Sequence, residues 1–385
     1  MTISPLTAVN HTEVKKYGAN FQQIYAVGPN ANLTGGVDFL HETIDGQVTE
    51  ITRYVGFGPF PFNDTTVGSS VPKNSWNSLG VYASGDVTLN RLQTTLGLRF
   101  DNFWIETEKT DGYVDDDDVA LPTESESYNS INGSLGLVYA LGGGVNLVGN
   151  VGSSYRVPNV VERFYYGSAS NRETRPNPDI KPEKAISLDL GVKAIHESVN
   201  YSLIGFFSDY TDFTQLQKFD SLPPSHPGGG YTPLWRYENI EDVTIYGFEG
   251  VVEADLASGL YGKASLSYQH GEINTFDQPL FVTPIKTSVT TGYRFKKLGL
   301  FAEANVRTTG DQSRVPDVAY LDDVATTGYT ILNATVGCRP FKNVRLSLSG
   351  INLSDEVYAE PFNARNPDNP IVEAGRNFVL SVSAG

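Results

Sequence analysis

The sequence predicts an all-β chain folded as an antiparallel transmembrane β-barrel, and three features predict it. Apolar and polar residues alternate over ten residues or more in stretch after stretch, the links between stretches alternate short and long, and no helical period competes. Successive strand side chains point to opposite sides, so this alternation gives one apolar face and one wet face. A globular strand usually has about 5–6 residues, whereas a tilted membrane crossing takes about 9–11.

Taken in order, strands are expected at about 18–28, 31–43, 76–89, 91–105, 128–140, 144–155, 184–195, 198–215, 236–255, 259–272, 284–295, 298–309, 327–339, 343–354 and 375–385. Leu188, Leu190, Val192 and Ala194 alternate with Ser187, Asp189 and Lys193, and Leu300, Ala302, Ala304 and Val306 with Glu303, Asn305 and Arg307. Val344, Leu346 and Leu348 stand against Arg345, Ser347 and Ser349, and Phe378, Leu380 and Val382 against Asn377, Ser381 and Ser383. Tyr139, Tyr246, Tyr293, Phe295 and Phe341 fall near strand margins, where a membrane interface favours amphipathic rings.

The short links fall at Pro29–Asn30, Asn90, Leu141–Gly143, His196–Glu197, Ala257–Ser258, Lys296–Lys297 and Pro340–Lys342. The long ones fall at 44–75, 106–127, 156–183, 216–235, 273–283, 310–326 and 355–374. Every tight turn is therefore at one end and every long loop at the other, the asymmetry of a barrel with short periplasmic turns and long extracellular loops. A sheet that crosses lipid must close, because no water satisfies an open edge there.

Composition narrows the function classes. A balance of 28 basic against 44 acidic residues, formally −16, argues against nucleic-acid binding, which needs clustered cations. One cysteine offers no disulfide framework or cysteine-based zinc site, and Cys338 reads as a small packing residue. The five histidines have no metal-ligand spacing, and Asp115–Asp118 lacks the spaced pattern of a calcium loop, so it reads as a solvated turn. No metal or cofactor is expected. No apolar window is long enough for a membrane helix, and the opening MTISPLTAVNHTEVKKYG lacks the basic-then-apolar order of a signal peptide. No G-x-S-x-G elbow is present, so the chain does not read as an enzyme.

The stretch from Tyr155 to Glu183 is dictated by something other than a strand. Pro176, Pro178 and Pro182 fix φ and stiffen its return into the wall. YRVPNVVERF followed by NPDIKPEKAISLDLGVK resembles the paired boxes of TonB-dependent outer-membrane receptors, on Tyr155, Arg156, Pro158, Asn177, Pro178, Lys181, Pro182 and Glu183. YENIEDVTIYGFEGVVEADL and TPIKTSVTTGYRF resemble later strands of those barrels, and Asn352, Leu353, Tyr358, Gly375 and Arg376 resemble their C-terminal end.

The resemblance implies an outer-membrane protein in contact with lipid and, when whole, with the TonB complex, taking up a scarce bulky ligand. A ferric siderophore ranks first, and cobalamin, haem or an oligosaccharide follow. Haem receptors of this kind commonly place a His between the boxes, and Val157–Asn177 contains none. The family barrel has about 22 strands. About fifteen or sixteen are expected here, with residues 1–16 as a poorly ordered leader, 17–385 as a partial barrel, and no plug, TonB-contacting box or signal peptide. A smaller closed barrel acting as a passive pore is the alternative.

Candidate ligand contacts are Phe164, Tyr165, Tyr166, Arg172 and Arg175 in one long loop, and Tyr231, Trp235 and Arg236 in another. Rings and guanidinium groups together offer stacking surface and positive charge to a small-molecule anionic metal chelate.

Overall fold

The computed structural model describes residues 2–55, 62–115, 117, 119–169, 172–223, 230–240, 242–295, 299–316, 325–361 and 371–384. β1 (Thr2–Gly28) and β2 (Ala31–Val55) open the chain, followed by β3 (Phe62–Gly68), β4 (Asn74–Leu89), β5 (Leu92–Thr107), β6 (Glu126–Gly142) and β7 (Val145–Arg156). A one-turn helix, α1 (Val160–Phe164), and two short strands, β8 (Gly167–Ala169) and β9 (Arg172–Thr174), come next. β10 (Glu183–Ile195), β11 (Val199–Thr211), β12 (Thr214–Leu222), β13 (Thr232–Asn239), β14 (Val243–Asp255) and β15 (Leu260–Ile273) follow. β16 (Gln278–Pro279), β17 (Lys286–Phe295), β18 (Leu300–Thr309), β19 (Tyr329–Phe341), β20 (Val344–Ile351) and β21 (Asn377–Ala384) complete it.

Among the described residues, seventeen strands share one sheet; setting aside short β3 and β16, fifteen pair antiparallel in chain order. The order runs β1-β2-β4-β5-β6-β7-β10-β11-β14-β15-β17-β18-β19-β20-β21. Among the described residues no pairing joins β1 to β21. Left-handed backbone at Asn90, Gly143, Gly144, Ser258 and Gly299 makes the tight reversals at the short-link end.

Two expectations are corrected. The backbone of Thr2–Lys16 pairs with β2, from Thr2 opposite Val55 to Lys16 opposite Glu42, so the expected leader is strand. The links expected at 44–75 and 216–235 carry β-structure: β2 runs on to Val55 and β3 lies inside the first, while β12 and β13 overlap the second.

Register divides the side chains cleanly. One face carries exposed Phe21, Leu98, Ile131, Leu190, Leu203, Val289, Val336 and Leu380, with Leu190 at 59% and Leu380 at 73%. An apolar surface this extensive is the kind that a membrane-spanning β-barrel turns outward. The other face is a ladder of polar side chains bonded across strands. Arg99 pairs with Asp38 and Asp101, each at 2.7 Å. Ser187 meets Ser208 at 2.8 Å, Asn305 donates to Ser288 at 2.9 Å, and Thr335 meets Ser349 at 2.9 Å.

Glycines on this polar face make room for neighbouring rings. Tyr82 lies over Gly36, Tyr261 over Gly292 and Phe301 over Gly337, each so close that a Cβ would collide with the ring. A guanidinium covers each ring in turn: Arg99 at 5.6 Å from the Tyr82 centroid, Arg294 at 3.9 Å from Tyr261 and Arg345 at 4.6 Å from Phe301.

Candidate functional site

The long links fold against one another, and charged pairs fasten them to the sheet. Arg156 ends β7 and Glu183 begins β10, opposite each other. Arg156 Nε and Nη2 donate to the two Glu183 oxygens at 2.6 and 2.8 Å, and Nη1 reaches both Glu162 oxygens at 2.9 Å. Bidentate charge-assisted bonds fix orientation as well as adding energy. Glu183 also accepts from the Thr214 amide at 2.7 Å, which ties the next long link to the same carboxylate.

α1 is held by a reciprocal cap: Asn159 Oδ1 accepts from the Val161 and Glu162 amides, while Glu162 accepts from the Asn159 amide. The helix buries Arg163 and Phe164 completely. Arg163 Nε and Nη2 donate to the Pro178 carbonyl at 3.1 and 2.8 Å, and Nη2 meets Glu126 at 3.0 Å. Burial holds this guanidinium below its ordinary value, because desolvation disfavours the charged form. The Tyr113 hydroxyl donates to the Phe164 carbonyl at 2.5 Å, and burial pushes that phenol upwards. Val71, Tyr113, Val160 and Phe164 form one buried cluster, with Tyr165 and Tyr166 packed on it.

Two links that look separate in sequence share a four-stranded sheet, ordered β12-β13-β9-β8, in which β13 and β9 run parallel. Asn177 Nδ2 donates to the Tyr237 carbonyl at 2.8 Å, and the Lys181 amide to Asn239 Oδ1 at 2.8 Å. Arg175 stacks over Tyr166 and Arg236 over Phe219, both at 4.4 Å. Arg236 Nε also meets Glu238 at 2.6 Å. Tyr231 is exposed at 68%, whereas Phe164 at 0% and Trp235 at 4% are packed inside the cap. Burial therefore removes those two rings from the solvent-facing set expected from sequence. Arg172 lies on β9, with its side chain outside the described residues.

The acidic run contributes a turn: Asp115 Oδ1 accepts from the Asp117 and Val119 amides at 3.0 and 2.8 Å, while Asp116 and Asp118 lie outside the described residues.

A further cluster joins the final long link to the polar face. Asn352, 1% exposed and at φ 51°, donates through Nδ2 to the Glu356 and Ala374 carbonyls and accepts the Glu356 amide at 3.0 Å. The Arg376 amide donates to Asp355 at 2.9 Å. Just beyond, Glu360 Oε1 meets Tyr329 Oη at 2.6 Å and Arg307 Nη2 at 3.2 Å, while Oε2 meets Lys286 Nζ at 3.1 Å. Arg307 Nη2 also donates to Tyr358 Oη at 3.2 Å, and the Tyr329 and Tyr358 rings lie 4.1 Å apart. Of these residues, sequence reasoning singled out Asn352, Tyr358 and Arg376 as site residues but not Glu360 or its donors. Lys286, Arg307 and Tyr329 sit at the long-link ends of β17, β18 and β19, and strand parity alone already puts them on one face.

Comparison with known proteins fits this architecture. The TonB-dependent receptor-like β-barrel family model matches residues 5–353. The ferric enterobactin receptor of Pseudomonas aeruginosa is 26% identical over 153 residues, 35% of this chain and 20% of that protein. The TonB-dependent heme receptor A of Haemophilus ducreyi is 23% identical over 350 residues, 82% of this chain and 46% of that protein. The chain thus spans less than half the length of these curated relatives. Among solved structures, the copper transporter OprC superposes with a TM-score of 0.78 at 18% identity, covering 98% of this chain and 57% of that one. The FrpB iron transporter from Neisseria meningitidis superposes with a TM-score of 0.69 at 15% identity, covering 97% and 55%. The chain belongs to the TonB-dependent receptor family and is built from its β-barrel region.

Proposed function

We propose that this chain is part of the wall of an outer-membrane receptor that takes up a ferric siderophore with energy delivered through TonB. The observation that carries the reading is the set of guanidinium–ring stacks gathered at the long-link end: Arg175 on Tyr166, Arg236 on Phe219, and Arg307 beside Tyr329 and Tyr358. An anionic chelate with flat metal-binding arms favours such surfaces, where a ring supplies contact area and a cation supplies charge. The name of the Pseudomonas aeruginosa relative supports the same class. The apolar face meets outer-membrane lipid, the short-link end faces the periplasm, and the long-link end faces outward.

The test is a fluorescence titration of the purified chain in detergent with a ferric tricatecholate complex, cobalamin and haem. Saturable binding of the ferric complex, weakened at least tenfold by Arg236→Gln, is the expected result. Saturation by haem or cobalamin without ferric binding rejects the siderophore class, and a large steady current across a planar bilayer favours a passive pore.

A further inference from the structure

We propose that Lys286, Arg307 and Tyr329 form an anion receptor whose resident occupant is the chain's own Glu360 carboxylate, and that an incoming polycarboxylate takes the place of Glu360.

The geometry is that of a filled anion site. Three donors from three adjacent strands converge on one carboxylate: Tyr329 Oη at 2.6 Å and Arg307 Nη2 at 3.2 Å on one oxygen, Lys286 Nζ at 3.1 Å on the other. All three donors come from the rigid wall. The carboxylate comes from the link after β20, which is anchored at its root by Asn352. Donors fixed on strands with an acceptor on a link is the arrangement in which the acceptor can be exchanged and the donors stay.

Charge and accessibility point the same way. Two cations, Lys286 and Arg307, face the one Glu360 carboxylate. Side chains of Lys286, Arg307 and Glu360 keep 37%, 39% and 25% of their surface, so solutes can reach them. Arg307 Nε is buried and, among the described residues, has no hydrogen-bond partner. Glu360 thus meets Arg307 through one nitrogen, short of the two-point fork a guanidinium makes with a well-placed carboxylate. The Tyr329 ring, on β19, adds a wall for the ligand's carbon skeleton.

An intramolecular occupant sets a threshold. Ligand affinity is reduced by the fraction of molecules whose pocket is open, so a pocket closed in about nine of ten molecules binds about tenfold more weakly. Weak monoanions fail to displace Glu360, and a multidentate anion succeeds. This deepens the receptor reading above by naming a carboxylate-recognising subsite, but its test does not require iron.

The test is calorimetric titration of the purified full chain in detergent with iron-free citrate, repeated with ferric citrate. Glu360→Gln should tighten citrate binding about tenfold by opening the pocket. Arg307→Gln in the Glu360→Gln background should return it to wild-type or weaker, and Lys286→Gln in that background should weaken it several-fold. Circular dichroism of each variant confirms the fold. Unchanged or weaker citrate binding in Glu360→Gln overturns the proposal, as does binding insensitive to Arg307→Gln. Equal binding of iron-free and ferric citrate supports the pocket while removing the argument for an iron ligand, so the two readings fail separately.

Discussion

Arg163 illustrates what single residues contribute at the long-link end. It is fully buried, and its donors hold the Pro178 carbonyl and Glu126 together. Arg163→Leu leaves two acceptors unpaired, which costs about 2–3 kcal/mol locally. The expected outcome is faster proteolysis between Val157 and Pro182, with the membrane strands unaffected. Asn352 supports a second prediction. Its φ of 51° suits Asn or Gly, and its side chain satisfies three backbone groups. Asn352→Ala should destabilise by about 2–4 kcal/mol through lost bonds and left-handed strain, and Asn352→Gly by less, measured by urea midpoint in lipid vesicles. Sequence pattern flagged Arg156, Glu183 and Asn352 through resemblance. It could not reveal that Phe164 and Trp235 are buried, because an aromatic in a loop reads the same whether it faces solvent or a neighbouring loop.

At the scale of elements, the strands were legible because lipid on one side and polar groups on the other impose a period of two. That signal fades where a strand leaves the bilayer and both faces become wet. β2 therefore continues to Val55 although its amphipathic pattern ends near Thr43. β12 was hidden for a different reason: Asp212, at φ 57°, kinks the chain between β11 and β12, and periodicity cannot register a single left-handed residue. The ring-over-glycine contacts supply the prediction at this scale. Gly36→Val drives a side chain into Tyr82 and should lower stability by about 1–3 kcal/mol, as overpacking does. Gly85→Ala meets nothing within 4 Å and should be tolerated, so the two midpoints in lipid vesicles should separate clearly.

For the whole molecule, β1 and β21 each have one side with no pairing among the described residues. In detergent, amides on the free sides of β1 and β21 should exchange with solvent much faster than those of β6 or β10, which have partners on both sides. Uniform protection across all fifteen strands would mean that the edges find each other.

Fifteen is an odd number, and in an antiparallel meander that makes β1 and β21 run in the same direction. Direct closure would therefore be parallel, the slightly less stable pairing per residue. Two copies inserted with the same orientation also meet only parallel, whichever edges they present. A bridge that preserves the antiparallel ladder must contain an odd number of crossings. Strand parity thus counts against this run of strands closing directly on itself.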